Sequence, residues 1–237
     1  MKLTNIILAG ILSSAALTAA ATETQSQNKD YYVQVNAGYV HGQAPKQSFS
    51  QGSMGNTGLY GIEAGYRFNQ NFRASLSLSY IPDFKNNYST STTQTSDANQ
   101  NYIETINYNT KVRSLVSMLN VYYDIAEINK FTPYLTLGIG MSSNRTKSSD
   151  TISNGLGFSD TLTYSNATHN CFAYQAGLGA RYAINKDFDL DLHYVYANLG
   201  KFKTGTTLSY DGESEKVAAK TGKLRTQEII VGIAYKF

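Results

Sequence analysis

The chain has 237 residues, 41% hydrophobic and only 16% charged, with a formal net charge of +3 and a single cysteine. A soluble domain carries about 25% charged residues, so the shortage of charge needs a cause, and an aromatic content of 12% argues against disorder. One cysteine excludes a disulfide framework and a cysteine-rich zinc site, the small net charge excludes a nucleic-acid binder, and a mean hydropathy of −0.33 excludes a bundle of membrane helices.

The chain opens like an export signal. Lys2 precedes an apolar run from Ile6 to Leu12, followed by small residues up to Ala21. A charged start, a short apolar core and an A-x-A end at Ala19 and Ala21 mark a secretory signal. The run is too short for a membrane helix, which needs about 20 apolar residues. The expected organisation is a signal peptide over 1–21, a short periplasmic segment over 22–30 and one β-domain over 31–237.

From residue 31 onward, apolar side chains alternate with polar or small ones at a period of two, the mark of a strand with two different faces. The first strand sets Tyr31, Val33, Val35, Ala37 and Tyr39 against Gln34, Asn36 and Gly38. The second sets Tyr60, Ile62, Ala64, Tyr66 and Phe68 against Glu63, Gly65 and Arg67, and the third Phe72, Leu76, Leu78 and Tyr80 against Arg73, Ser75, Ser77 and Ser79. In the fourth, Leu115, Leu119, Val121 and Tyr123 oppose Ser114, Asn120 and Asp124; in the fifth, Leu135, Leu137, Ile139 and Met141 oppose Thr136, Gly138 and Gly140. The sixth pairs Phe172, Tyr174, Leu178 and Tyr182 with Gln175, Gly177, Gly179 and Arg181, and the seventh Phe188, Leu190, Leu192, Tyr194 and Tyr196 with Asp189, Asp191 and His193. The last sets Ile229, Val231, Ile233, Tyr235 and Phe237 against Glu228, Ile230, Gly232, Ala234 and Lys236.

Eight such segments of about nine to eleven residues match tilted transmembrane strands, and an even number suits a single-chain barrel. A soluble sandwich also alternates. Three features favour the barrel: polar rows rich in Gly and Ser, charges gathered at one strand end, and connections alternating between short and long. The expected fold is all-β, an eight-stranded antiparallel up-and-down transmembrane barrel. Its short turns (69–71, 126–131, 183–187) are expected on the periplasmic side. Its four long loops (40–58, 81–111, 142–170, 197–222) are expected outside the cell, both termini being periplasmic. Aromatics at the strand ends should form girdles at the two membrane interfaces.

By this parity Glu63, Arg67, Arg73, Asp124, Arg181, Asp189, Asp191, Glu228 and Lys236 face the interior with His193, and their signs nearly balance. Pairing lowers the cost of burying charge, so the interior is expected to be a plug of paired charges without a wide pore. His41 and His169 fall in or beside external loops. Neither G-x-S-x-G nor H-E-x-x-H occurs, so no enzyme, metal or cofactor is expected. Cys171 falls at the outer rim of the sixth strand. The terminal Tyr235-Lys236-Phe237 looks like the signal read by the barrel-assembly machinery.

The segment Phe172-Ala173-Tyr174-Gln175-Ala176-Gly177-Leu178-Gly179 resembles one shared by opacity-type surface proteins and the surface-antigen family of intracellular bacteria. Leu190-Asp191-Leu192-His193-Tyr194 with Gly200, Pro133-Tyr134 running into Gly138-Ile139-Gly140, and Asn120-Val121-Tyr122-Tyr123-Asp124 are similar to further strands of that family, above all its rickettsial adhesins. The resemblance covers the strands from Tyr31 to Phe237 and is weak in the loops. It implies an outer membrane surface protein that attaches to host cells or host proteins, and it carries over no ligand residue. Phe49, Tyr88, Tyr102, Phe158, Tyr164 and Tyr210 are loop aromatics that could anchor such a contact. The long loops hold few charges, which disfavours polyanions such as heparin. A structural envelope barrel without a dedicated ligand and a lipid-modifying enzyme are the alternatives. Outer membrane lipids are the expected surroundings, and nucleic acid is not a partner.

Overall fold

Alternating β-branched, aromatic and small residues fit a pleated surface with two unlike faces. The computed structural model describes residues 30–43, 54–95, 101–154 and 159–237, side chains at 95, 101 and 102 excepted. The expected signal peptide and all but the last residue of the periplasmic segment lie outside the described residues, as do Phe49 and Phe158.

Eleven strands follow in order: β1 (Tyr31–Gly42), β2 (Gly55–Arg67), β3 (Phe72–Thr95), β4 (Asn101–Asp124), β5 (Phe131–Asn154), β6 (Ser159–Tyr164), β7 (Ala167–Ala183), β8 (Phe188–Lys203), β9 (Thr207–Tyr210), β10 (Glu213–Lys216) and β11 (Thr221–Lys236). Eight of them close a ring in the order β1-β2-β3-β4-β5-β7-β8-β11, sealed where β11 pairs with β1 from Tyr32↔Lys236 to Gly42↔Thr226. All pairings are antiparallel. The remaining three extend β5 sideways as β5-β6-β9-β10.

The outer face of the ring is apolar. Leu137 is 68% exposed, Phe172 64% and Val35 62%. In water a continuous surface of this kind would aggregate; a lipid bilayer solvates it. One end of the band carries a near-continuous aromatic girdle, with Tyr31 4.8 Å from Tyr66, Phe72 5.2 Å from Tyr123, Phe131 4.9 Å from Tyr182 and Phe188 5.2 Å from Tyr235. Tyr39, Tyr60, Tyr80 and Phe172 mark the other end.

Two expectations need correction. Several strands are far longer than a bilayer requires: β3, β4 and β5 run for 24 residues each, against the about 9–11 that cross it. Much of what reads as long loop is strand. Toward the tips of β3, β4 and β5 neither face of the sheet is buried, so the sequence there is polar on both sides and loses its period-two contrast. The interior is also not charged throughout. Its inner face has two layers: a polar one near the short turns and, above it, a cluster that includes Leu59, Ile81, Phe84, Val116, Leu199 and Ile230, each at most 6% exposed.

Candidate functional site

All eight ring strands send a side chain into the polar layer. Asp124 at the end of β4 accepts from Arg73 Nε at 3.1 Å and from Arg181 Nη2 at 2.7 Å. Arg181 Nη1 also lies 3.7 Å from Asp189, and Asp189 takes Lys236 Nζ at 2.7 Å. The result is an alternating chain, Arg73–Asp124–Arg181–Asp189–Lys236. Such groups are costly to bury singly and tolerable when paired.

Three tyrosines complete it. The Arg73 guanidinium lies 3.9 Å from the ring centre of Tyr122, 4.6 Å from Tyr134 and 5.8 Å from Tyr32, so cation–π attraction adds to its ion pair. Tyr32 and Tyr122 each donate a hydroxyl to Glu63, at 2.9 and 3.0 Å. Tyr134 donates to Asp191 at 2.9 Å, and Asp191 also meets His193 Nδ1 at 2.5 Å. Gly65 and Gly179 stand opposite Tyr32 and Tyr134 in register, and a Cβ at either would collide with the ring lying over it. Those two glycines make room for the tyrosines.

Not every group expected in the plug joins it. Arg67 ends β2 directly opposite Arg73 and is half-buried at the rim, with no ion pair among the described residues. Glu228 sits higher, at the level of the apolar layer, and accepts among the described residues from Thr226 Oγ1, at 2.6 Å. Glu63 is held by phenols rather than by a cation. Sequence reasoning missed Tyr32, Tyr122 and Tyr134. The signal was present in the doublets Tyr31-Tyr32 and Tyr122-Tyr123, where one ring of each pair must face the lumen.

Between the two layers lies a cavity of about 30 Å³, bordered by the polar Glu63, Asn120, His193 and Glu228 and by the apolar Leu59 and Ile230. This is room for about two water molecules. Above it the apolar cluster fills the barrel.

Outside the membrane the strand extensions form a wall. Tyr88 faces Tyr108 across β3 and β4, their rings 6.0 Å apart and nearly parallel. Tyr102 lies opposite Gln94 in the same hairpin. Tyr164 on β6 is 8% exposed; it donates to Asp150 at 2.9 Å and packs with Tyr108 around Lys220 Nζ, which is 5.1 Å from the Tyr164 ring and 5.3 Å from the Tyr108 ring. Burial, and next to it the bond to Asp150, pushes the Tyr164 hydroxyl up. Burial works against the Lys220 charge, but Tyr164 and Asp150 outweigh it and raise the ammonium pKa. Tyr164 therefore packs the wall rather than facing solution. Tyr210 is 46% exposed and donates to Asp160 at 3.0 Å. It leads into a tight β9–β10 turn in which Asp211 and Gly212 both have positive φ, at 46° and 82°, the backbone of a hairpin turn that favours Asp-Gly. Cys171 Sγ is half-buried and bonded to both the amide and the carbonyl of Lys201.

A closed antiparallel ring, an apolar band bounded by aromatic girdles and a polar lumen of paired charges define an outer membrane β-barrel. The chain belongs to the family of outer membrane protein beta-barrel domains, which matches residues 7–237. It is 34% identical over 132 residues to the outer membrane protein PagN of Salmonella typhimurium, 56% of this chain and 53% of that one, so the match spans about half of PagN. It is 28% identical over 142 residues to the protein RP788 of Rickettsia prowazekii, 56% of this chain and 72% of that one. Its fold is that of Neisserial surface protein A, with a TM-score of 0.52 at 20% identity over 87% of this chain and 97% of that one. The protein is thus a bacterial outer membrane protein, with its short turns on the periplasmic side and its strand extensions outside.

Proposed function

We propose that the protein is a surface adhesin whose extracellular wall contacts host-cell or serum proteins. The observation that carries this reading is the length of β3, β4 and β5, 24 residues each, widened at the tips by β6, β9 and β10. A barrel that only stiffened the envelope would have no use for so tall a wall. Tyr210 is 46% exposed near its tip, and Ile103 58%; interfaces favour such anchors. Tyr88 and Tyr102 stand on the same hairpin, and Phe49 and Phe158 are further candidates. Tyr164, being buried, is a packing residue.

The reading is of a binder rather than a catalyst. His193, Asp191 and Tyr134 hold one another beneath the apolar layer, where a substrate from solution does not reach. Outer membrane lipids surround the barrel, and the assembly machinery reading Tyr235-Lys236-Phe237 is its partner during insertion. The test displays the intact protein and Tyr210→Ala/Ile103→Ala on a non-adherent bacterium and counts attachment to cultured host cells. Attachment above the empty host, reduced in the variant, supports the reading. Attachment equal to the empty host would leave a structural envelope barrel in its place.

A further inference from the structure

Just beyond the lipid-facing band, the outside of the wall carries cations that neither the lumen nor the tips explain. On β3, β4 and β5, Lys85 stands directly opposite Lys111, and Lys111 directly opposite Lys147. One outward position nearer the membrane, Arg113 is opposite Arg145. Their neighbours in sequence, Phe84, Val112 and Thr146, are 0% exposed and point into the barrel. The alternation therefore turns all five cations outward. Adjacent strands are about 4.8 Å apart, and like charges placed directly opposite destabilise a sheet. A carboxylate reaches this cluster from Asp83, and Arg113 takes it in a two-point bond at 2.8 and 3.0 Å. Among the described residues no ion pair engages Lys85, Lys111, Arg145 or Lys147. The three lysines are thus left facing one another.

Their height is set by the strands themselves. On β4, Arg113 is the outward residue directly after Leu115, which is 42% exposed to lipid; on β5, Arg145 follows Met141, 59% exposed, with only Ser143 between them on that face. The far side of the barrel repeats the pattern. Lys201 is directly opposite Lys223, and Arg225 follows the lipid-facing Ile229 with only Gln227 between.

We propose that the Lys85–Lys111–Lys147 row, with Arg145 beneath it, binds the phosphate-bearing headgroups of outer-leaflet glycolipids. A phosphate seated between two lysines turns their mutual repulsion into attraction. The row points sideways, toward neighbouring lipid, at the level where acyl chains give way to headgroups. Lysine stems can lie along the apolar band while the ammonium reaches the phosphate. A sulfated polysaccharide arriving from solution would instead meet the tips of the wall first.

The full-length barrel, refolded into phosphatidylcholine nanodiscs, tests this. Diphosphoryl lipid A or its dephosphorylated form is added, and bound lipid is counted by native mass spectrometry. Wild type should retain the diphosphoryl form at least about tenfold better than the dephosphorylated one, more weakly as salt rises. Lys85→Gln/Lys111→Gln/Lys147→Gln should lose that preference, and Lys111→Arg/Lys147→Arg should keep it. Inorganic phosphate and heparin in solution should not compete. Equal retention of the two lipids, a triple variant that behaves as wild type, or displacement of the lipid by heparin would each overturn the proposal. Should the triple variant not refold, the exposed Lys147→Gln alone decides: an unchanged preference overturns the proposal and a weakened one supports it.

Discussion

Asp124 and Arg181 meet at 2.7 Å although β5 runs between their strands. An eight-stranded ring is narrow enough for side chains to touch across an intervening strand, and Asp124 uses this to stand between two guanidinium groups. Asp124→Asn removes the carboxylate, leaving Arg73 without an ion-pair partner among the described residues and Arg181 with only Asp189, 3.7 Å away. Breaking one buried pair costs about 3–5 kcal/mol, so the urea midpoint of the refolded barrel should fall by a corresponding amount. Asp124→Asn/Arg181→Met should recover part of the loss. An Asp124→Asn barrel as stable as wild type would show that the carboxylate is not the hub of the chain.

Tyr122→Phe removes one of the two hydroxyls that hold Glu63, which is 6% exposed. Leaving a buried acceptor short of a donor costs about 1–3 kcal/mol. Tyr174→Phe is the control, because that hydroxyl meets Asn198 at the surface, and its loss should change stability by less than about 0.5 kcal/mol. Equal effects of the two substitutions in the same urea titration would argue against a structural role for the Glu63 cage.

Phe84 is 0% exposed in the upper layer. Phe84→Ala should cost about 3–5 kcal/mol, the range for truncating a buried aromatic. Planar-bilayer recordings should nevertheless show no large stable conductance for either wild type or variant, because the charge chain still closes the lower half. A steady current in the variant alone would place the seal in the apolar layer instead.

The Asp83 carboxyl, outside the membrane, is held below its ordinary value of 3.8, first by its bond to Arg113 and also by the charges of Lys111 and Lys147, which together outweigh partial desolvation. A depressed carboxyl stabilises the fold above its unfolded-state pKa, and the contribution is lost as pH falls through the folded value. Protection factors of the amides around the Ile81/Phe84 bulge, taken relative to the intrinsic exchange rate at each pH, should therefore be steady above about pH 5 and fall as the pH drops below about 4. In Asp83→Asn the protection should be lower at neutral pH and should lack this acid step.

Much of the barrel is legible in sequence, because a lipid-facing row and a lumen row differ in polarity at every second residue. Val231, Ile233 and Tyr235 face out and Gly232, Ala234 and Lys236 face in, as the period of two requires. The upper lumen is not legible this way: Val116 and Met118 are as apolar as the Leu115 and Leu119 that face lipid, so parity there carries no contrast. The basic row is hidden for another reason. Lys85, Lys111 and Lys147 lie on three different strands, and a low average charge in those segments conceals three lysines that only register brings together. The tyrosine cage around Arg73 was half visible, since a Tyr-Tyr doublet in a two-faced strand places one ring on each side.

The ion chain also bears on how the molecule is made. Arg73 and Asp124 come from the first four strands of the ring, while Arg181, Asp189 and Lys236 come from the last four, Lys236 from the final residue of β11. A half-built sheet, still open along the β1–β11 seam, would already hold the Arg73–Asp124 pair but leave Asp189 without Lys236. Lys236 reaches Asp189 only with the final strand, so closing the seam also completes the chain of charges.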